Sequence, residues 1–230
     1  MTIKLLTIAL LSLAGACTSA PSLAGDVDHP AVVELYQSQG CSSCPPADAV
    51  LNALADRRDV LALSFAVTYW DQLGWKDTFA SPAFTRRQWD YARAAKRGNV
   101  ATPQMIVNGS GAINGGNRAE VDAAIRRFSR PLGEPAITSD ARSVMVGAGK
   151  GHADLWLVRY DPRTISVPIR AGENGGRTIA HRNIVRQLIR LGAWNGASVS
   201  YRLPKPLPGL ASAVLAQQAA GGPIIAAHRI

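Results

Sequence analysis

Between residues 31 and 128 the chain alternates strand-like and helix-like segments, with short turn signals between them. Ala31 to Tyr36 is a buried-strand run carrying a single acid, Glu34. Ala47, Val50, Leu51 and Leu54 then recur at helical spacing. Val60 to Val67 reads as a second buried strand. Ser81-Pro82 supplies an N-cap and a proline at the first helical position, and Gly98 stops that helix near residue 97. Gln104 to Val107 is a third strand, and Asn108-Gly109 turns it into a fourth. Asn117 caps a last helix reaching about Phe128. The order β-α-β-α-β-β-α needs crossover helices between parallel strands and closes on a hairpin and a helix. It predicts an α/β fold with a thioredoxin-like domain over residues 30–130.

A composition break at Arg130-Pro131-Leu132-Gly133-Glu134-Pro135 reads as a linker to a second domain, 134–230. That half reads as mostly β, a smaller sandwich-like domain. Its strand candidates are Ser143 to Val146, Ala153 to Tyr160, Thr164 to Arg170, Ala197 to Leu203, Val214 to Gln218 and Pro223 to Ala227. Ile184, Val185, Leu188 and Leu191 form a helix-like stripe among them. The 230 residues are 47% hydrophobic and 18% charged, which is globular composition and excludes disorder as the main state.

Cys41-Ser42-Ser43-Cys44 stands just after the first strand and opens the first helix. The spacing alone fits a metal knuckle, a local disulfide staple or a redox pair. A structural zinc needs about four ligands, and no second C-x-x-C or nearby histidine accompanies this one. A staple would close only a four-residue ring, worth about 2 kcal/mol in the chain-entropy model. The redox reading has a mechanism: the helix N-terminus favours a thiolate, so Cys41 attacks and Cys44 resolves. Pro45 and Pro46 place the helix start near Ser43 and leave Cys41 exposed ahead of it. Thr102-Pro103, just before the third strand, matches the cis-proline position that borders the cysteines in thioredoxin-like proteins. Glu34, seven residues before Cys41, is a candidate acceptor for the Cys44 proton. Trp70 and Trp75, in the loop 69–79, are candidates for a client groove or for covering the sheet. Lys76 and Asp77 read as surface charges.

The N-terminus reads as an export signal. Lys4 is the positive region, Leu5 to Ala16 the apolar region, and Ser22-Leu23-Ala24 a cleavage site, giving a signal peptide over 1–24. Ala14-Gly15-Ala16-Cys17 resembles a lipobox without its usual leucine, so acylation at Cys17 is the alternative to cleavage after Ala24. Both place the mature chain in the periplasm or outside the cell, where vicinal cysteines tend to be oxidised.

Val33-Glu34-Leu35-Tyr36-Gln37-Ser38-Gln39-Gly40-Cys41-Ser42-Ser43-Cys44-Pro45-Pro46-Ala47-Asp48 resembles the signature of a secreted bacterial family of unknown function, number 1223. The resemblance continues through Tyr69-Trp70-Asp71, Gly74-Trp75-Lys76-Asp77, Thr102-Pro103-Gln104-Met105 and Asn108-Gly109. It resumes at Gly172-Glu173-Asn174-Gly175-Gly176-Arg177 and near Gln217. It implies a thioredoxin-like fold with a β-rich addition and no established activity. The family pattern has His-Val-Asp before Tyr-Trp-Asp, where this chain has Ala66-Val67-Thr68. It has Tyr before Thr-Pro, where this chain has Ala101.

The leading expectation is an exported thiol–disulfide oxidoreductase acting on protein or small-molecule thiols with a redox partner, without cofactor or metal. The alternative is a non-catalytic periplasmic binding protein whose disulfide is structural. The net charge of +9 is concentrated late: residues 134–230 hold 12 basic and 5 acidic groups, against 12 and 11 in 25–133. Outside the cell this favours an anionic surface over nucleic acid. On a helix, Arg182, Arg186 and Arg190 would form a basic stripe for such a partner.

Overall fold

The computed structural model describes residues 25–130 and 133–230. The expected signal segment and Cys17 lie outside the described residues. Seven elements of the first half follow the predicted order: β1 (Ala31–Gln37), α1 (Pro45–Leu54), β2 (Val60–Ala66), α2 (Pro82–Ala94), β3 (Gln104–Val107), β4 (Gly111–Ile113) and α3 (Arg118–Arg127). The caps act as their chemistry requires. Ser81 Oγ accepts from the Ala83 amide, and Asn117 Oδ1 accepts from the Ala119 and Glu120 amides.

β1 lies between β2, its parallel partner, and β3, its antiparallel partner. Alternation along β1 divides the interior into two layers. Val33 and Leu35 face Leu51 of α1 and Val121 of α3, whereas Val32 and Tyr36 face Phe84 and Tyr91 of α2.

The second half contributes β5 (Ile137–Ser139), β6 (Ser143–Val146), β7 (Ala153–Asp161), β8 (Ile165–Pro168), β9 (Thr178–His181), β10 (Ile184–Trp194), β11 (Val199–Arg202), β12 (Ala211–Gln217) and β13 (Ile224–Arg229). Four of these strands extend the first-half sheet, giving the eight-stranded order β13-β12-β7-β10-β2-β1-β3-β4. The join is at β10: Ile184 pairs with Ser64, the Ser64 amide donates to the Asn183 carbonyl, and Asn183 Nδ2 donates to the Ala62 carbonyl. The expected linker therefore does not separate two sheets. Val158, Val185 and Leu215 complete the same apolar layer as Phe65 and Phe84. The three-stranded sheet β11-β6-β5 packs Val144 and Val146 over Leu155, Leu157 and Val214.

The stripe from Ile184 to Leu191 is a strand, not a helix. β10 pairs with β7 over most of its length, with register shifts between Val185 and Gln187 and between Arg190 and Gly192. Each shift inserts a residue and interrupts the two-residue alternation, which leaves apolar positions three and four apart without a helix. The three arginines accordingly form no stripe. Arg182 donates to Asp56 and to the Asn52 carbonyl, Arg186 stacks on the Phe79 ring, and Arg190 pairs with Asp154.

Candidate functional site

Cys41 and Cys44 form a disulfide with Cα atoms 5.4 Å apart. β1 ends at Gln37, and the loop 38–40 carries the chain to Cys41. Cys44 is the N-cap of α1 and already has helical backbone angles, φ −78° and ψ −33°. The prolines at 45 and 46 occupy the first helical positions, where no intrahelical amide bond is required of them. Ser43 Oγ lies 3.4 Å from Cys41 Sγ, within reach to donate to a thiolate there.

The Thr102-Pro103 peptide is cis. Gln104 pairs with Tyr36, so Pro103 lies at the end of β1 from which the cysteine loop departs. Trp70 ties the two together. Its Nε1 donates to Thr102 Oγ1 at 2.7 Å, and its Cβ lies 3.7 Å from where a Cβ on Gly40 would stand. Trp75 Nε1 donates to Gln39 Oε1 at 2.9 Å. Both indoles are half-buried; Trp75 gives its only side-chain donor to Gln39 in the cysteine loop, and Trp70 gives its own to Thr102.

Cys41 is not exposed ahead of the helix. Both cysteines are fully buried. The reason comes from the second half, at Gly172 to Arg177. Asn174 Nδ2 donates to the Gln39 and Cys41 carbonyls at 2.9 and 2.8 Å. Glu173 Oε2 accepts from the Ser42 amide and hydroxyl, which lowers the Glu173 pKa. Gly172, at φ +70°, fits closely against Trp75. A site expected within one domain thus takes part of its covering from the other half of the chain.

Glu34 is buried, but on the layer opposite α1. Its oxygens accept from Arg87 at 2.7 and 3.1 Å and from the Tyr36 hydroxyl at 2.7 Å. Arg87 also donates to Gln217 and Tyr91. This is a buried ion-pair network joining β1, α2 and β12, not a proton acceptor for Cys44, because strand alternation turns Glu34 away from the cysteine helix.

Two residues that the sequence did not single out, Asp48 and His181, form a buried pair on the α1 side of the sheet. Asp48 lies on α1 four residues after Cys44 and is 3% exposed, and His181 ends β9 at 1%. His181 Nδ1 is 3.3 Å from Asp48 Oδ1. Desolvation raises the Asp48 pKa, against the pull of His181. Burial opposes a charge on His181, yet Asp48 and then Asp77 outweigh it and hold its pKa above the ordinary value. Asp77 is not a surface charge. It is 3% exposed, and its carboxylate accepts the Gln39 and Phe79 amides. Desolvation comes first among the causes that raise its pKa. The helical position of Asp48 was legible in sequence, but only tertiary pairing brings a histidine from position 181 against it. Among the described residues, no cluster of three or more His, Cys, Asp or Glu side chains is arranged to hold a metal ion.

Residues 32–217 match the model of a protein family of unknown function, DUF1223. The chain belongs to that family. A protein of Agrobacterium tumefaciens with a crystal structure is 30% identical, covers 92% of this chain over 96% of its own length, and superposes with a TM-score of 0.75. HBP35 of Porphyromonas gingivalis is similar in fold, with a TM-score of 0.57 at 12% identity, covering 90% of this chain and 76% of its own. No curated protein matches. DUF1223 membership accounts for the specific run from Val33 to Asp48 and leaves the activity to be argued from the site.

Proposed function

We propose that this DUF1223 protein is an exported thiol–disulfide oxidoreductase on a thioredoxin-like unit, with Cys41 and Cys44 as its redox couple. The observation that carries this reading is the Cys41–Cys44 disulfide at the N-terminus of α1, directly after the loop that leaves β1. Supporting it, β2, β1, β3 and β4 are neighbours in that order, with α1 and α3 on one face and α2 on the other. A client thiolate attacks Cys41, the Cys41–Cys44 bond breaks, and its electron pair goes to Cys44, which takes up a proton. A second client thiolate then displaces Cys41, so the client becomes a disulfide and the pair a dithiol. Protein or small-molecule thiols are the substrate class, and a second redox protein restores the starting state.

Full burial of both sulfurs favours a second reading, a structural staple in a binding protein. Thiol trapping decides between them. Cys44→Ser should accumulate mixed disulfides through Cys41, whereas Cys41→Ser should not. A native disulfide that dithiothreitol cannot reduce without unfolding the protein, together with no trapping by either variant, would establish the staple.

A further inference from the structure

We propose that the buried Asp48–His181 pair exchanges the proton of Cys44 during thiol–disulfide exchange, with Asp48 Oδ2 as the accepting atom. The inference rests on the redox reading above and names a residue on each half of the chain for one step.

The geometry starts from the helix. Cys44 has helical angles and the Asp48 amide donates to its carbonyl at 3.1 Å, so the two residues stand one turn apart on one face. Side chains at that spacing have Cβ atoms ~5–6 Å apart, and a helical side chain leans toward the preceding turn. Asp48 and Cys44 therefore share one face of the helix, the face that is buried at both positions. Among the described residues, Asp48 Oδ2 and His181 Nε2, the atoms on the far sides of the Asp48–His181 contact, lack a hydrogen-bond partner. Buried polar atoms are normally satisfied, and two orphans on one buried pair mark groups kept free for another use. Asp48 also lines a cleft of about 430 Å³ with Pro45, Asn52 and Arg177, a route for the proton to solvent.

The charged surroundings come from several elements. His181 of β9 contacts Asp48 directly. Asp77 acts on His181 from the loop before α2, and Asp71 acts on Asp77. Arg186 of β10 stacks on Phe79, whose ring packs edge-on to His181. Arg177 stands at the cleft wall.

When a client thiolate attacks Cys41, the leaving Cys44 thiolate takes the proton of the Asp48 carboxylic acid and leaves a carboxylate beside His181. In resolution the Cys44 thiol returns that proton to Asp48 as its sulfur attacks Cys41 and the client departs as a thiolate. Atoms and charge balance in both directions, and the client supplies the electrons.

The test is the rate at which dithiothreitol reduces the oxidised full-length mature protein across pH, normalised to dithiothreitol thiolate. Wild type should show an inflection from Asp48. Asp48→Asn should remove it and slow reduction by about 10²-fold, the low end for positioned proton transfer. His181→Asn should move the inflection to higher pH, because a neighbouring cation that favours the carboxylate is gone. Melting of each variant verifies folding. Should Asp48→Asn fail to fold, ring-nitrogen shifts of His181 in wild type decide: titration curves that differ between disulfide and dithiol forms support the proposal, and identical curves overturn it. Unchanged rate and inflection in Asp48→Asn, with reduction still proceeding, overturns the proton role alone. A wild-type disulfide that never exchanges overturns the redox reading and this inference with it.

Discussion

Asn174 Nδ2 donates to the Cys41 carbonyl at 2.8 Å across 133 positions of sequence, and with its second bond to Gln39 it holds the cysteine loop under the second half of the chain. Asn174→Ala leaves the buried Gln39 carbonyl without its donor and takes one of two donors from the Cys41 carbonyl, which keeps the Cys44 amide. It should cost about 2 kcal/mol, within the ~1–3 kcal/mol typical of such groups. The disulfide should also become reducible faster by a small thiol. Denaturant unfolding and a reduction time course check the two parts separately.

Glu34 and Arg87 should matter for stability and not for thiol chemistry. Arg87→Met leaves a buried carboxylate without its cation, and breaking such a pair costs about 3–5 kcal/mol. Glu34→Gln combined with Arg87→Met should cost less than the two single changes together, because they share one network. Urea midpoints measure this. Where the Glu34→Gln variant folds, its pH profile of disulfide reduction should match that of wild type.

His181 gives stability a pH dependence of known sign. The folded protein binds its proton more tightly than the unfolded chain, whose ordinary value is near 6.5. The resulting stabilisation is fully present below pH 6.5 and is lost as pH rises through the higher folded value. The melting temperature of wild type, minus that of His181→Gln, should therefore shrink as pH rises above 6.5. Asp48 and Asp77, also raised, act in the same sense from lower pH. A difference that grows with pH would contradict the assignment.

Gly109 sits at φ +66°, and a Cβ there would lie 2.8 Å from both the Gly222 carbonyl oxygen and the Ile224 amide nitrogen. Gly109→Ala combines a left-handed backbone with a backbone clash and should destabilise by roughly 1–3 kcal/mol. Because the Ile224 amide donates to the Asn108 carbonyl, the loss should appear in β13 as well as in the hairpin. Amide hydrogen exchange at both places checks it.

What the sequence determined by itself is local. The seven elements from β1 to α3 emerge in the predicted order because their signals act within a few residues: Ser81 and Asn117 as caps, Asn108-Gly109 as a turn, Pro82 at a helix start. The cysteine pair and its place at a strand-to-helix junction were equally readable, since backbone geometry there depends on neighbours in the chain. Tertiary structure alone decided which partner each buried carboxylate meets. Glu34 and Asp48 are both acids among apolar neighbours, but strand alternation turns one toward Arg87, and the other meets His181 on the buried face of α1. It likewise decided the burial of Cys41, because Asn174 bonds its carbonyl and Glu173 bonds the neighbouring Ser42 from more than 130 positions away. The segment 184–194 misled for a related reason. Its bulges are set by pairing with β7, and a spacing pattern cannot register a residue that a distant partner strand leaves unmatched.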